Sequence, residues 1–458
     1  MVIHDALACG NEPHSSASLS ELARDVTCKF EQELSDLVRK TTSDTMTPVR
    51  FRSLLGGVQE LLMATGRDVM QRLVEELDEP RAALEFGGER LRYRGMATRE
   101  WLSPFGKIAV RRRTYRGERG DLSSVPLEDA CGMRGRYMTP DVEEMAALGA
   151  AMLTANEVQQ LLDKVLPVAP SATAIQHAVR QLGIELAGKR TEVEEAVATK
   201  CPLPEDGDVL VASWDGVMVP MREKETAWRE AGVSTVSVYR STEGGPEKIA
   251  TRFDARAPES GMTSLVEHVA RRVARAKERN DFRDVVVICD GKETIWNAAN
   301  KHEVFQDATW ILDFYHASEN LMKAAKAIFG DSDQAVRWHA KYRERLQLDA
   351  VGCDAARRSM QRYARTAKLS GERRKILRNA ANYFRDHRDR MRYSDFIHRG
   401  LPIGSGPVES AAKNIVQARL KRSGMRWSRD GSQHVRDLRA HLKSGTWEPM
   451  WHVLRAAA

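Results

Sequence analysis

From Phe51 to about Glu85, apolar residues recur every three or four positions, beginning "FRSLLGGVQELLMATGRDVMQRLVEELDE", the spacing that turns one helical face toward a core. The period then changes. "ERLRYRGMATREWLSPFGKIAVRRRTYRG" predicts two extended segments around Ser103 to Gly106, a β-hairpin whose second arm carries Arg111, Arg112 and Arg113. "VPLEDACGMRGRYMTPD" leads into helices, with Thr139 expected as N-cap before Pro140 at the first helical position. The segment Asp141 to Leu166 is followed by "PSATAIQHAVRQLG", where Ser171 is placed to cap a second short helix. Two helices joined by a tight turn fit either a DNA-reading helix-turn-helix or a helical packing or dimerisation domain.

After the linker "KCPLPEDGD" the pattern becomes α/β. "VLVASWDG", "STVSVYR", "EKIATRFDA", "DVVVICDG" and "ATWILDFYH" are expected strands, and "SGMTSLVEHVARRVARAKER" is a long helix between the third and fourth. Such an order suits a mixed sheet covered by helices, with its site beyond the C-terminal ends of parallel strands. From about 331 to 398 the chain reads as a helical, basic insertion before an amphipathic helix, "SGPVESAAKNIV", that carries Glu409. The expected division is therefore 1–48, a polar and partly flexible segment ending in the linker "TTSDTMTP"; 49–120, helix and hairpin; 121–200, helical, for DNA binding or dimerisation; 201–330, the first part of the α/β domain; 331–400, the insertion; and 401–458, the glutamate helix and a basic C-terminal region.

Composition narrows this picture in a few places. No apolar run is long enough to span a bilayer, and the first twenty residues lack the pattern of a secretory signal, so the expected compartment is the cytoplasm. Cys9, Cys28, Cys131, Cys201, Cys289 and Cys353 show no paired CxxC spacing and read as buried or incidental thiols. The 71 basic residues exceed the 64 acidic ones by seven, a modest excess that favours an anionic partner without identifying it.

Candidate chemistry lies in the acids. Asp215 follows the apolar run Val209 to Trp214, and Asp290 follows Val285 to Cys289, each directly before a glycine. Each alone fits a turn residue, whereas two neighbouring strands would present both carboxylates to one site. Close carboxylates repel unless a proton or cation neutralises them, which points to a divalent ion bound by oxygen, Mg2+ expected and Mn2+ meeting similar demands. Glu409 is the third candidate. With Gly406 as cap and Pro407 at the first helical position it would occupy the third, where a glutamate serves equally as a cap or as a ligand. Asp313 and His316 in "LDFYHASEN" fit either a helix cap with a structural histidine or a pair at the site's edge.

Together "SWDG", "VVICDG", "LDFYH" and "GSGPVESAAKNIVQARLKRSGMRW" resemble the DDE-type transposases of bacterial insertion sequences, particularly the Kra group and its Lre and Mutator-like relatives. The landmarks span about 205 to 430, and "SPFGKIAVRRRTYRG" is similar to the N-terminal region of those proteins. The resemblance implies an RNase H-like catalytic domain with a helical insertion, in which Asp215, Asp290 and Glu409 are the metal-binding catalytic carboxylates. It implies that Asp313 and His316 form an accessory motif for site architecture or DNA positioning. The implied activity is cleavage at transposon ends and transfer of the 3′ hydroxyl to target DNA, two in-line attacks at phosphorus without a covalent protein nucleophile. Tyr315 and Ser410 lie close enough in sequence to need mutation controls. Implied partners are transposon-end and target duplexes, with action as a homo-oligomer on DNA and no membrane. The alternatives are a nuclease of the same fold that does not join strands and an inactive, transposase-derived DNA-binding protein.

Phosphate contacts are expected along Arg419, Lys421, Arg422, Arg426, Arg429, Arg436 and Arg439, with Trp427 either packed against the fold or stacked on a base. Further candidates are the hairpin arginines and the insertion's Arg373, Arg374, Lys375, Arg378, Arg385 and Arg388.

Overall fold

A computed structural model describes residues 16–42, 45–118, 120, 122–222 and 227–456. Cys9, the first part of the expected segment 1–48 and Ser43 and Asp44 of its linker lie outside the described residues. Two compact units divide the chain, one formed by residues before 151 with 154–178 and the residues from 455 on, the other by 179–454 with 151–153. The division falls inside the helix Ala172–Gly188, so the expected 121–200 region is shared between them.

In the first unit the helical pattern ends earlier than its apolar spacing suggested. The helix Pro48–Glu76 is followed by a strand, β1 (Ala83–Phe86), which belongs to a four-stranded antiparallel sheet with β2 (Glu89–Ser103), β3 (Gly106–Arg116) and β4 (Ser123–Ser124). The hairpin around Ser103 to Gly106 is its centre. Most of the outer edge of β3 has no strand neighbour, and side chains from the end of the preceding helix satisfy it instead. Ala109 N donates to Gln71 Oε1 (3.3 Å), Arg111 N to Glu75 Oε1 (2.8 Å) and Arg113 N to Asp78 Oδ2 (2.7 Å). Alternate strand residues thus meet acceptors spaced four and three apart, which blunts an edge otherwise open to strand addition. Downstream, the helices Pro140–Met152 and Ala155–Leu162 are separated by two residues, and Thr154 and Glu157 form a reciprocal capping box. Thr139 does not cap with its side chain: its hydroxyl is buried without a partner. Ser171 does cap, accepting from Ala174 N (3.2 Å), but its helix, Ala172–Gly188, is long.

The second unit is mixed α/β around a five-stranded sheet, ordered β7-β6-β5-β8-β9. β5 (Val209–Pro220), β6 (Trp228–Thr242) and β7 (Gly245–Arg256) form an antiparallel meander; β8 (Asp284–Cys289) and β9 (Thr309–Leu312) then add parallel to β5. β5 and β8 are almost continuous apolar runs because both sheet faces are covered. The helix Thr263–Arg279 lays Leu265, Val266, Val269, Ala270, Val273 and Ala276 into the core at helical spacing. From β9 the chain enters the helix Phe314–Phe329 and then a helical array, Asp333–Leu348, Gly352–Thr366, Gly371–Asp386 and Tyr393–His398. It returns to the sheet where the Tyr393 hydroxyl donates to Leu312 O (2.9 Å) and Phe314 N to Ile403 O (3.0 Å).

Glu409 does not lie on an ordinary amphipathic helix. An α-helical turn, Gly406–Ala411, runs into a π-helical segment, Ala412–Gln417, before Ala418–Leu420. The wider π turn leaves carbonyls poorly paired, and buried Arg439 takes them up: its Nε donates to Asn414 O and Ile415 O, both at 3.1 Å. Among the described residues no helix is long and apolar enough to cross a membrane.

Candidate active site

Parallel register builds the site. Pairing of β5 with β8 ends at Trp214↔Cys289, and pairing of β8 with β9 at Cys289↔Leu312. The next residue on each strand is an aspartate, so Asp215, Asp290 and Asp313 stand side by side at neighbouring strand positions, roughly 4.8 Å between strands. Asp313 N donates to Cys289 O (2.9 Å), extending the ladder by one residue.

Asp215 is nevertheless not a strand-end turn residue. β5 continues to Pro220, with Asp215 opposite Val233 and Gly216 opposite Gly232. Glycine at 216 leaves room for the Glu230 carboxylate, which crosses from β6 to pair with Lys292 Nζ and would have to move aside for a Cβ. Gly291 has a similar role, since a Cβ would lie 2.7 Å from the ring of Tyr383, brought in by the helical insertion. Both "DG" pairs therefore mark close passage of a second side chain, over β5 at Gly216 and just past the end of β8 at Gly291. Glu230, Lys292 and Tyr383 are remote in sequence and carry no motif; the glycines after the two aspartates were the available signal.

Electrostatics couple these groups. Burial raises the Asp215 pKa first, and the charge of Asp290 adds to it, while a hydrogen bond from Gly216 N to Oδ1 (2.6 Å), His316 and Lys292 act in opposition. Asp290 Oδ1 accepts from Lys292 N (3.1 Å). Burial and the charges of Asp290 and Asp313 push the Tyr383 phenol up, so it stays a neutral donor. Asp313 is 1% exposed and caps the helix Phe314–Phe329 through Oδ1, which accepts from His316 N (2.8 Å) and faces His316 Nδ1 at 3.3 Å. Its Oδ2 accepts from Ser405 N (2.5 Å), tying the cap to the start of the segment that carries Glu409. Asp313 is thus a positioning residue linking two chain segments.

Contact with Asp313 holds the His316 pKa up at about 9, with burial opposing and Asp290 reinforcing. The imidazole is therefore charged at neutral pH. Its favourable contribution is complete below its ordinary value, 6.5, and is lost as pH rises through about 9. An NMR titration of the His316 ring should find a midpoint near 9 that falls toward the ordinary value in Asp313→Asn. The same sign holds at Asp215. A carboxyl whose folded pKa is raised stabilises the fold in its protonated form, below the ordinary 3.8, and loses that contribution as pH rises through the raised value. Asp215→Asn, which keeps an acceptor for Gly216 N without the charge, is accordingly expected to raise the unfolding midpoint at pH 7 in a thermal melt.

Glu409 stands apart from this cluster. Ser405, not Gly406, occupies the N-cap position, so Glu409 is the fourth helical residue rather than the third. It accepts no capping bond and instead pairs with Lys413 at 2.8 Å, both side chains 63% exposed. The expected placement, Gly406 as cap with Glu409 at the third helical position, is therefore corrected, and of the two roles left open for Glu409 the cap is not the one it plays here. Among the described residues no group of three or more His, Cys, Asp or Glu side chains is arranged to hold a metal ion, so in this conformation the structure joins Asp215 with Asp290 but does not bring Glu409 to them. Tyr315 is exposed beside Gly404, and Ser410 accepts from Asn414 Nδ2 (3.0 Å).

Several expected phosphate contacts are structural. Arg112 and Arg113 are engaged with Glu128 and Asp78, the first at 2.7 Å and only 11% exposed; Arg111 is exposed. Arg419 is buried over the Trp427 ring (5.2 Å), and Arg436 and Arg439 are buried as well. Trp427 donates Nε1–H to Leu420 O (3.0 Å), and its backbone bridges to Met221 just beyond β5. Lys421, Arg426 and Arg429 are exposed and Arg422 is half-buried; the insertion's Arg373, Arg374, Lys375, Arg378, Arg385 and Arg388 are exposed. The free cysteines among the described residues range from exposed Cys28 through half-buried Cys131 and Cys201 to buried Cys289 and Cys353.

Fold and site together define a mixed α/β protein with paired carboxylates where parallel pairing ends. The chain belongs to the uncharacterised protein family UPF0236, whose model matches residues 45–451. No curated protein matches it.

Proposed function

We propose that the chain is a DDE-type DNA transposase whose second unit is an RNase H-like domain interrupted by a helical insertion. The observation that carries this reading is the register placing Asp215 and Asp290 on adjacent parallel strands, in a half-buried setting where their charges oppose each other. The sheet, a three-stranded meander extended by two strands parallel to its first, supports it. So do the exposed Lys421, Arg426 and Arg429 downstream of Glu409.

The donor chemistry fits a divalent ion. Hard carboxylate oxygens that repel one another are what Mg2+ or Mn2+ relieves, and Asp215 and Asp290 would hold it. Bound there, such an ion would supply acidification of an attacking hydroxyl and charge stabilisation at the leaving oxygen. Glu409 would join after exchanging Lys413 for the site, within reach of a segment already fixed at Ser405 by Asp313. His316 and Lys292 are cations flanking the carboxylates, suited to a phosphate approaching two acids.

Purified chain incubated with Mg2+ and DNA carrying the sequences that flank its coding region is expected to nick at the element ends and join the 3′ ends to a second duplex. Nicking without joining would replace this reading with a nuclease. Sequence-selective binding without metal-dependent cleavage would replace it with a DNA-binding protein derived from the same fold.

A further inference from the structure

The second unit contains a cavity of about 410 Å³ bounded by the helices Arg190–Lys200 and Thr263–Arg279, by β7 and by the helix Arg429–Ser444. It shares no lining residue with Asp215, Asp290, Asp313, His316 or Glu409. Val193, Val197, Leu203 and Phe253 give it apolar walls, and five arginines line it as well. Three of these face acids: Arg190 pairs with Asp437 (3.3 Å), Arg275 with Glu194 (3.4 Å), and Arg272 lies in the field of Asp254 and Glu194. The other two are bonded to backbone carbonyls. Arg252 donates from Nη1 to Ser444 O (2.7 Å) and from Nη2 to Cys201 O (3.0 Å), and Arg279 donates to Ala198 O.

Ala198 and Cys201 are both at the C-terminal end of the helix Arg190–Lys200, so these two guanidinium groups converge on one helix end. A guanidinium has five donors, and the carbonyl bonds leave each group with unused N–H and no carboxylate partner, Arg252 half-buried and Arg279 at the exposed rim. Burial lowers the Arg252 pKa, the mark of a cation removed from water without a carboxylate beside it. Nearby, Arg272 Nη1 is buried without a partner. Two arginines without a carboxylate partner at one side of apolar walls are complementary to a ligand with a negatively charged end and an oily body. The volume suits a compact small molecule.

We propose that this cavity binds a small amphipathic anion, with its head group on Arg252 and Arg279 and its apolar body along Val193, Val197, Leu203 and Phe253. The site is independent of the chemistry proposed above, and its test does not depend on DNA cleavage. Isothermal titration of the full chain with decanoate, decyl phosphate and decanol measures it directly. At least one of the two anions is expected to bind once per chain, about tenfold or more tighter than decanol. Which anion binds tighter distinguishes a carboxylate from a phosphate ligand. Arg252→Met, which keeps the length of the apolar stem, is expected to bring the anion to within about threefold of decanol and leave decanol unchanged. Arg279→Met is the second variant should the first fail to fold by circular dichroism. Val197→Trp, filling the cavity, is expected to remove binding of all three. Equal affinity for decanol and both anions, or undiminished anion affinity in the folded arginine variants, overturns the proposal.

Discussion

On the transposase reading proposed above, Asp290→Ala is expected to reduce Mg2+-dependent cleavage of element-end DNA by about a thousandfold or more, because an ion-stabilised transition state would lose several kcal/mol with one of its carboxylates. Binding of the same DNA, measured by electrophoretic mobility shift, should change by less than about threefold, since exposed cations carry phosphate affinity. Asp215→Ala should behave alike. Glu409→Ala is the sharper case. Its carboxylate pairs with Lys413 in the free chain, so the substitution should leave stability nearly unchanged, within about 0.5 kcal/mol, and yet abolish cleavage. Full activity in all three variants would separate the chemistry from these acids.

The largest effect on stability is expected elsewhere. His268 is 4% exposed, with Nδ1 2.7 Å from Glu194 Oε1 and Nε2 2.5 Å from Asp254 Oδ2. Burial would raise both carboxylates, but His268 and neighbouring arginines outweigh it, bringing Glu194 down to about 2 and Asp254 well below its ordinary range. His268→Ala leaves two buried charges without their shared partner, and a loss of about 3 kcal/mol in urea unfolding at pH 7 is expected. A loss below about 1 kcal/mol would show that Arg256, Arg271 and Arg275 suffice alone. In the parent, lowered carboxylates stabilise the fold above their ordinary values. For Glu194 that contribution disappears as pH falls from 4.5 through about 2.

Much of the second unit was legible because both faces of its sheet are covered. Continuous apolar runs marked β5, β8 and β9, and the aspartates ending those runs fell into register. What stayed hidden depended on tertiary partners. Gly216 looked like a turn because its reason, the Glu230 side chain passing over it, lies on another strand. The Phe51 to Glu85 periodicity ran past the real helix end, since β1 is four residues of mixed exposure. Charge misled most at Arg419, Arg436 and Arg439: a run of arginines reads as a phosphate surface, while three of them turn inward to pack and to hold carbonyls. The accessory pair Asp313 and His316 left two readings open, and the cap and the bond to Ser405 give Asp313 its structural share in one side chain.

The π turns after Glu409 also constrain how this segment tolerates change in length. A π turn holds one residue more than an α turn, so deleting one residue from Ala412–Gln417 would let the stretch relax to α geometry with Glu409 keeping its bearing on Arg419 and Leu420, which are anchored in the core, whereas inserting one would swing it by about 100°. The segment should therefore tolerate loss of one residue better than gain of one, and only the insertion should turn the carboxylate away.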